Sequence, residues 1–245
     1  RSWMQGATYR DAVKAGDVMA TYSICEVMVS NSTRVAVGDI VAAESVWADY
    51  VTRPARKIQK LPKMDVLSHL ISVYGIAGKT AFHGLVSVGK PMAGETVVVS
   101  AAAGSVGGYV GQIAKALGCH VVGIAGGPEK CKWVVDHLGF DSCVDYRAGG
   151  LFKSLRAACP NGIDVYFDNV GGSVLEATLA LMNEKGRIAC CGAISQYDSA
   201  NPTGPRNLPG ALVVKRLRME GFIVMDFADD DAKARYFGGL SIFMF

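Results

Sequence analysis

From residue 96 onwards the chain alternates between two patterns of apolar residues. Short runs rich in valine and isoleucine are separated by segments in which apolar residues recur every three or four positions. The first pattern predicts buried strands and the second predicts amphipathic helices. Because the two alternate with short links, we predict an α/β fold with a doubly wound parallel sheet. The predicted strands are Thr96–Ser100, His120–Ile124, Ser142–Asp145, Ile163–Asn169, Gly186–Cys191 and Arg218–Val224, and the predicted helices are 106–117, Pro128–Leu138, Leu151–Ala158 and Ser173–Met182.

The first 66 residues show no helical period over a long span. Three β-rich runs, Glu26–Val29, Asp39–Ala43 and Val46–Val51, are predicted as strands, with a turn at Gly38 between the first two. A basic segment with two prolines, Thr52–Pro62, is predicted as a linker. This part of the chain therefore fits a portion of a β-rich domain.

Two further segments flank the predicted sheet. Residues 63–90 carry a helical period, which Gly75 and Gly78 are predicted to break into two helices, with an end at Gly89. Residues 198–210 contain three prolines and two glycines. A long loop without regular structure is predicted there, and it is a candidate lid over a substrate.

The turn after the first predicted strand of the sheet reads Ala102-x-Gly104-x-x-Gly107. This is a dinucleotide fingerprint with alanine in its first place. Gly104 lets the backbone approach a pyrophosphate, Gly107 and Gly111 let the helix lie close to the strand, and the first amides of the helix face the phosphates. A packing turn without a ligand is the alternative that the motif leaves open.

The end of the second strand of the sheet bears on the choice between NAD and NADP. An NAD site has an acidic residue there, which binds the ribose hydroxyls. This chain has Gly126 and Gly127, which leave room, and Lys130, whose charge suits a 2′-phosphate. NADP is therefore the predicted cofactor. Glu129 is the alternative, either as the ribose-binding acid or as an ordinary acidic residue in the first turn of a helix.

Composition excludes several other classes of protein. The chain has 245 residues and a net charge of +3, and it contains no basic run interleaved with aromatics, so we expect no nucleic-acid partner. No apolar run reaches membrane-spanning length, so no membrane partner is expected. The seven cysteines are scattered without a C-x-x-C pair, which is typical of reduced thiols in a cytoplasmic enzyme. The chain begins at Arg1, and a native N-terminus could be absent.

Several segments in order resemble one family. The resemblance runs from about residue 36 to about residue 226, and its best segments are YGIAGKTAFHGL, VVVSAAAGSVGGYVGQIAKALGC, VVGIAGGPEKC, DVYFDNVGG, GRIACCGAISQY and LRMEGFIV. With these the chain resembles the zinc-independent medium-chain dehydrogenase/reductase superfamily, and within it the NADPH-dependent alkenal/enone double-bond reductases. The resemblance implies a Rossmann domain at 73–245, part of a β-rich GroES-like catalytic domain at 1–72, and a homodimer. The edge position predicted for the last strand agrees with a dimer.

The resemblance also implies roles for individual residues. Gly104, Ser105, Val106 and Gly107 would cradle the pyrophosphate, while Lys130 and Tyr146 would hold the 2′-phosphate. Asn169 would contact the cofactor near its nicotinamide half. Tyr197 would face the substrate and bond or orient its carbonyl oxygen, although without the resemblance it reads as a surface-loop tyrosine. The residues expected to surround the nicotinamide ribose and ring are Cys191, Gly192, Ala193, Ile194, Ser195 and Tyr197, with Phe222, Ile223 and Val224 closing over that end.

The implied reaction is conjugate reduction of an enal or enone. NADPH would deliver hydride to the β-carbon, and Tyr197 together with a ribose hydroxyl would stabilise the enolate oxygen. The family continues beyond both ends of the match, and residues 232–245 lack its expected helix and strands, so the C-terminal end is predicted to be incomplete. An NADPH quinone oxidoreductase and a truncated NADPH-binding protein without activity remain alternatives.

Two other enzyme classes are disfavoured by the histidines. Zinc catalysis lacks ligands, because His69, His83, His120 and His137 form no H-x-x-x-H pair or Cys/His cluster, and it would need ligands from missing segments. Residues 103–107 nearly match the G-x-S-x-G motif of serine hydrolases. That fold needs a histidine late in the chain, and none follows His137.

Overall fold

The computed structural model describes residues 13–197 and 199–227. The chain divides into two compact units, Arg1–Gly75 and Ile76–Phe245. Residues 232–245, for which the expected helix and strands of the family were missing from the sequence, lie outside the described residues. None of the helices within the described ranges has the length and apolar character needed to cross a bilayer.

The first unit contains a three-stranded antiparallel sheet in the order β1-β2-β3. Its strands are β1 (Ala20–Glu26), β2 (Ile40–Val46) and β3 (Ile58–Lys60), and a 3-10 turn at Ala55–Lys57 leads into β3. The predicted strands at Glu26–Val29 and Val46–Val51 are wrong, because β1 ends and β2 ends where those runs begin. The predicted linker is also wrong, since it contains β3. Val27 is buried in a small core with Val35 and Val41, and its backbone bonds to Gly38 and Asp39. Met28 and Val29 are exposed, so the apolar run continues beyond the end of β1.

The second unit is a six-stranded parallel sheet in the order β6-β5-β4-β7-β8-β9. The predicted doubly wound α/β fold is confirmed. Alternate residues of the central strand face opposite sides, with Val97 and Val99 in one hydrophobic cluster and Val98 in the other. The strands are β4 (Thr96–Ser100), β5 (His120–Ala125), β6 (Ser142–Asp145), β7 (Ile163–Asp168), β8 (Met182–Cys190) and β9 (Arg218–Gly221), and the helices between them are α2 (Ser105–Ala116), α3 (Pro128–Leu138), α4 (Leu151–Ala158), α5 (Gly172–Leu181) and α6 (Leu208–Lys215), preceded by α1 (Ile76–Phe82).

Helical structure before the sheet differs from the prediction. Gly78 is buried inside α1 and does not break it, and only a 3-10 turn at Leu67–Leu70 forms between residues 63 and 75. Helix α1 continues into a π-helix, His83–Gly89. The next residue, Lys90, caps it in the left-handed conformation. The end at Gly89 is therefore confirmed. The π-helix brings its glycine at position 84 against the aromatic core, a packing contact that the helical period alone does not contain.

The C-terminal part of the described chain also needs two corrections. Helix α6 begins inside the segment predicted as a structureless loop, and the exposed Val213 and Val214 hid its amphipathic pattern. Strand β9 ends at Gly221 rather than at Val224, and a 3-10 turn, Val224–Phe227, follows it. The chain leaves the sheet there because the Phe222 ring turns into the core beside Phe167.

The strand ends place the site. Since all six strands are parallel, their carboxyl ends meet at one edge of the sheet, where ligands of such folds bind. Ser100, Ala125, Asp145, Asp168 and Cys190 are the last residues of five neighbouring strands. The segments that follow them are the ones in which the sequence predicted cofactor contacts.

Candidate functional site

The loop between β4 and α2 has free amides directed at its open side. Gly104 is the N-cap of α2, and its own N–H donates to the carbonyl of Ala101 at 2.8 Å. No side chain caps the helix, so the first-turn amides of Ser105, Val106 and Gly107 have no acceptor within the helix. Such amides, together with the positive end of the helix dipole, form an anion site. The geometry therefore fits a bound phosphate.

Gly107 allows the close approach of α2 to this loop. A Cβ at that position would overlap the carbonyl oxygen of Ala101 and lie 2.9 Å from its carbonyl carbon. Ala101 itself has a φ of 50°, a conformation that alanine rarely adopts. The loop is therefore held in a strained and tightly packed form, as expected where a ligand needs a fixed set of amides.

The ends of β5 and β6 are tied together by one carboxylate. Asp145 Oδ1 accepts the amide of Gly127 at 2.8 Å and the amide of Arg147 at 2.9 Å. This places Tyr146 and Arg147 over Gly126, where an added Cβ would lie 2.9 Å from both Tyr146 Cε1 and Arg147 Nε. The absence of a side chain at Gly126 therefore lets the Tyr146 ring and the Arg147 guanidinium pack against the backbone there, and we call this group the Gly126 cradle.

Arg147 is a candidate that sequence reasoning missed. The predicted 2′-phosphate ligands were Lys130, in the first turn of α3, and Tyr146, and both lie at this corner of the sheet. Arg147 adds a second positive charge, 5.8 Å from the centre of the Tyr146 ring. The signal that could have found it is its position directly after a strand that neighbours β5. Glu129 lies in the same first turn of α3 as Lys130, the position expected of an acidic residue at a helix start.

We expect acid pH to loosen this corner. The amides of Gly127 and Arg147 hold the pKa of Asp145 below its ordinary value. A carboxyl with a lowered pKa stabilises the folded state above its unfolded pKa, about 3.9, and this contribution is lost as the pH falls through the lower folded value. The melting temperature of Asp145→Asn should therefore be lower than that of the unsubstituted protein by a constant difference near neutral pH. This difference should become smaller below about pH 4.

The control for this experiment is an exposed aspartate. Asp49 lies on the surface and forms no hydrogen bond with a described residue. Asp49→Asn should show no pH-dependent difference in melting temperature. A margin for Asp145→Asn that stayed constant down to strongly acid pH would contradict the assigned role of the carboxylate.

The loop after β8 is joined to the loop after β7 by main-chain hydrogen bonds. Cys191 and Gly192 donate to the carbonyl of Asp168, at 2.8 and 3.1 Å, and Ile194 donates to the carbonyl of Asn169 at 3.2 Å. Ser195 donates both its amide and its hydroxyl to the carbonyl of Val170. The predicted nicotinamide-site residues from both loops therefore lie together and are joined by hydrogen bonds.

Tyr197 folds back over its own loop. Its hydroxyl accepts the amide of Ala193 at 3.0 Å, and a Cβ on Gly192 would lie 3.0 Å from the same oxygen. The side chain is 46% exposed. Among the described residues the hydroxyl proton has no acceptor, so it is available to a ligand on the open side of the loop.

Phe222 does not present its ring to the open side. The ring packs at 6.1 Å from the Phe167 ring, edge to face, and close to Gly84, where any side chain would overlap it. Ile223 remains 42% exposed. If this segment closes over a cofactor, its side-chain contact falls to Ile223, and Phe222 acts through the core.

The cysteines near the site are not poised to react as nucleophiles. Burial raises the pKa of the Cys190 thiol to about 12 and that of Cys191 to about 11. Both thiols are therefore protonated at neutral pH, and the thiolate is the form that reacts. Within the described residues, no group of three or more His, Cys, Asp or Glu side chains could hold a metal ion.

Comparisons with known proteins agree with this geometry. Residues 105–236 match the family model described as zinc-binding dehydrogenase, and residues 1–61 match the N-terminal domain of oxidoreductase. The chain is 42% identical over 224 residues to the NADPH-dependent curcumin reductase of Escherichia coli, covering 89% of this chain and 64% of that protein. It is 41% identical over 223 residues to a tobacco (Nicotiana tabacum) NADP-dependent 2-alkenal reductase, covering 90% and 65%.

This chain matches a larger share of one solved structure. The crystal structure of CurA from Vibrio vulnificus in complex with NADPH has a TM-score of 0.84 and 39% identity, covering 97% of this chain and 76% of that one. By contrast, the chain spans slightly less than two thirds of the length of the curcumin reductase and of the 2-alkenal reductase.

Sheet order, glycine loop and strand-end site define a dinucleotide-binding α/β protein with an additional small antiparallel sheet. The chain belongs to the medium-chain dehydrogenase/reductase superfamily, within the zinc-independent group that contains the NADPH-dependent alkenal and enone reductases. The predicted fold class and family resemblance are confirmed.

Proposed function

We propose that this chain binds NADPH and belongs to an enzyme that reduces the C=C bond of α,β-unsaturated aldehydes or ketones. The observation that carries the proposal is about 40% identity, across nearly the whole chain, to reductases of such substrates, including curcumin reductase and 2-alkenal reductase. The uncapped start of α2 fits the pyrophosphate of this cofactor, and the Arg147 guanidinium and Tyr146 ring packed against Gly126 fit its 2′-phosphate. Residues 1–72 are assigned to the catalytic domain and 73–245 to the cofactor domain.

NADPH, when bound, supplies the hydride that adds to the β-carbon of the substrate. The amides of Ser105–Gly107 bind the pyrophosphate, and the cations at the Gly126 cradle bind the 2′-phosphate. Asn169 and the 191–197 loop surround the nicotinamide half. Negative charge develops on the carbonyl oxygen of the substrate, and the Tyr197 hydroxyl donates a hydrogen bond to it. Tyr197 therefore both orients the substrate and stabilises the enolate.

Two proposals concern the setting of the protein. We place it in the cytoplasm, because its seven cysteines are free thiols and reduced thiols are typical of that compartment. We also propose a homodimer. Its support is that β9 is an edge strand of the sheet that the described residues form, since an edge strand presents unpaired backbone groups to a second subunit.

The functional test is NADPH oxidation with a panel of enals, enones and quinones, using the protein at full length and NADH as the comparison. Turnover of enals or enones with NADPH is the expected result. Turnover of quinones alone would assign the chain to the quinone oxidoreductases, which share its fold. Tight NADPH binding without any turnover would leave a binding protein and contradict the catalytic proposal.

The basic pair at the Gly126 cradle should decide cofactor choice. We expect Lys130→Ala with Arg147→Ala to raise KM for NADPH by about 100-fold, because each cation loses a charge-assisted bond to the 2′-phosphate. KM for NADH should change little, since NADH lacks that phosphate. Steady-state kinetics with both cofactors measures the ratio.

Lys132 provides the matched control for this pair. It lies two residues further along α3, is exposed and pairs with Asp136. Lys132→Ala should leave the NADPH to NADH preference unchanged. Equal losses with NADPH and NADH in the double variant would show that the basic pair does not read the 2′-phosphate.

A further inference from the structure

Asp168, at the end of β7, is a buried carboxylate that four neutral donors share. It is 2% exposed. Its Oδ1 accepts the Tyr166 hydroxyl at 2.8 Å, the amides of Val170 and Gly171 at 2.9 Å each, and the Ser100 hydroxyl at 3.3 Å. No described Lys, Arg or His side chain forms an ion pair with it. Burying a carboxylate is costly without full hydrogen bonding, so this cluster is a specific construction rather than a surface accident.

Ser100, the last residue of the neighbouring strand β4, forms hydrogen bonds to the residue that follows Asp168. Its hydroxyl oxygen accepts the amide of Asn169 at 2.9 Å, and its carbonyl accepts Asn169 Nδ2 at 2.8 Å. Residues 169–171 are therefore fixed by side chains from two adjacent strands. Three consecutive amides of this turn all have acceptors within the cluster.

The fixed turn in turn holds the loop that carries Tyr197. The carbonyls of residues 168, 169 and 170 accept the amides of Cys191, Gly192, Ile194 and Ser195. The Ser195 hydroxyl adds a bond of 2.6 Å to the carbonyl of Val170. A continuous set of hydrogen bonds therefore runs from the buried carboxylate, through the turn, to the loop in which Tyr197 rests on Ala193.

We propose that the Tyr166 hydroxyl and the Asp168 carboxylate are positioning groups that set the place of the Tyr197 hydroxyl. This proposal rests on the proposed function, because Tyr197 is the donor to the substrate there. Neither group reaches the open side of the site, since Tyr166 is fully buried and Asp168 nearly so. They act through the turn at residues 169–171. Small displacements of a catalytic donor are costly, which gives the cluster a kinetic effect beyond stability.

Burial, and then the nearby charge of Asp168, raise the pKa of the Tyr166 phenol well above its ordinary value. The phenol therefore remains a donor throughout the working pH range.

Tyr166→Phe and Asp168→Asn test the proposal. Each keeps the shape of its side chain and removes one element of the cluster. We expect kcat for an enone to fall about tenfold in each. Affinity for adenosine 2′,5′-bisphosphate, which fills only the adenosine half of the site, should stay within about twofold. Loss of affinity for this half-cofactor equal to the loss in kcat would reveal a general structural defect and overturn the proposal, as would an unchanged kcat.

Asp164 is the matched control on the same strand. It lies at the opposite end of β7 and accepts the amide of Thr96 at 2.9 Å and the side-chain amide of Asn183 at 2.7 Å. Asp164→Asn removes a comparable carboxylate far from the strand-end site. Its kcat should be unchanged, and a loss matching that of Asp168→Asn would overturn the proposed specific role.

A double-mutant cycle with Tyr197→Phe separates positioning from independent effects. If Tyr166 acts through Tyr197, Tyr166→Phe should cost little further kcat in the Tyr197→Phe background. Additive losses would overturn the proposal. If the unsubstituted protein turns over no enone, the proposed reductase function is wrong. The positioning proposal is then tested by the affinity of the variants for NADPH. Weaker NADPH binding with unchanged half-cofactor binding in Asp168→Asn would still support a fixed nicotinamide loop, and equal weakening would refute it.

Discussion

Gly107→Ala is expected to abolish measurable NADPH binding and to destabilise the fold by about 3 kcal/mol. The new Cβ would overlap the carbonyl oxygen of Ala101 and lie 3.0 Å from Ala102 Cα. Both are backbone atoms, and Ala101 already has a φ of 50°, so the loop cannot yield without moving α2 off the sheet. Chemical denaturation and fluorescence titration with NADPH measure the two effects.

Gly204→Ala is the control for adding one methyl group. A Cβ at Gly204 would meet nothing within 4 Å, and its backbone lies outside the left-handed region. Stability and NADPH affinity should therefore remain as they are in the unsubstituted protein. Normal NADPH affinity in Gly107→Ala would show that the fingerprint turn does not bind the pyrophosphate.

Tyr197→Phe should lower kcat for an enone by about 100-fold, the loss typical of removing one donor to a developing oxyanion. Affinity for NADPH should change little, because the phosphate sites that we propose lie at other strand ends. The substitution also removes the acceptor of the Ala193 amide, which costs about 1 kcal/mol of loop stability and should not by itself produce so large a kinetic loss. Single-turnover measurements isolate the hydride-transfer step.

A half-exposed tyrosine of the first unit serves as the control for this substitution. Tyr22 lies on β1 and is half-exposed. Tyr22→Phe should retain normal kcat. If Tyr197→Phe raised KM for the substrate and left kcat intact, Tyr197 would be a binding residue and the enolate role would be wrong.

Much of the second unit could be predicted because local signals coincide there with burial. Helix α3 has the predicted bounds, since Pro128 stands in its first turn and Gly139 takes the left-handed conformation just after its end. Strands β4 and β6 also have their predicted bounds. For this helix and these two strands, the residues that mark the ends are adjacent to the element in sequence, so its bounds can be predicted without knowing distant contacts.

Other elements were missed because their patterns are set by distant partners. Helix α6 exposes Val213 and Val214, so its apolar residues do not form the single stripe that predicts a helix. β9 was predicted three residues too long because Phe222 looks like a strand residue, yet its ring fills the space above Gly84. In the first unit the predicted runs Glu26–Val29 and Val46–Val51 begin where β1 and β2 end, whereas Asp39–Ala43 overlaps β2. The ends of these strands are set by their pairing with each other, which the composition of a run does not show.

The candidate site likewise contains residues that were predicted from the sequence and residues that were not. The glycine loop, Lys130, Tyr146 and the 191–197 loop were all recognised from sequence or resemblance, and the structure places them at one edge of the sheet. Arg147 was not, because its relevance depends on β6 lying beside β5. Asp168 lay inside the predicted strand Ile163–Asn169 without a role, and its four donors come from residues up to 68 positions away.

By itself, the sequence determined the order of strands and helices between residues 96 and 191, the parallel sheet, the fingerprint turn and the family. These depend on residue period, on glycine and proline, and on motifs, all of which are local. Only the tertiary structure decided which charged side chain lies against Gly126, where the Phe222 ring goes and what holds the Tyr197 loop. Those features arise when distant segments exclude water together, and a buried polar group must then find partners wherever the fold supplies them.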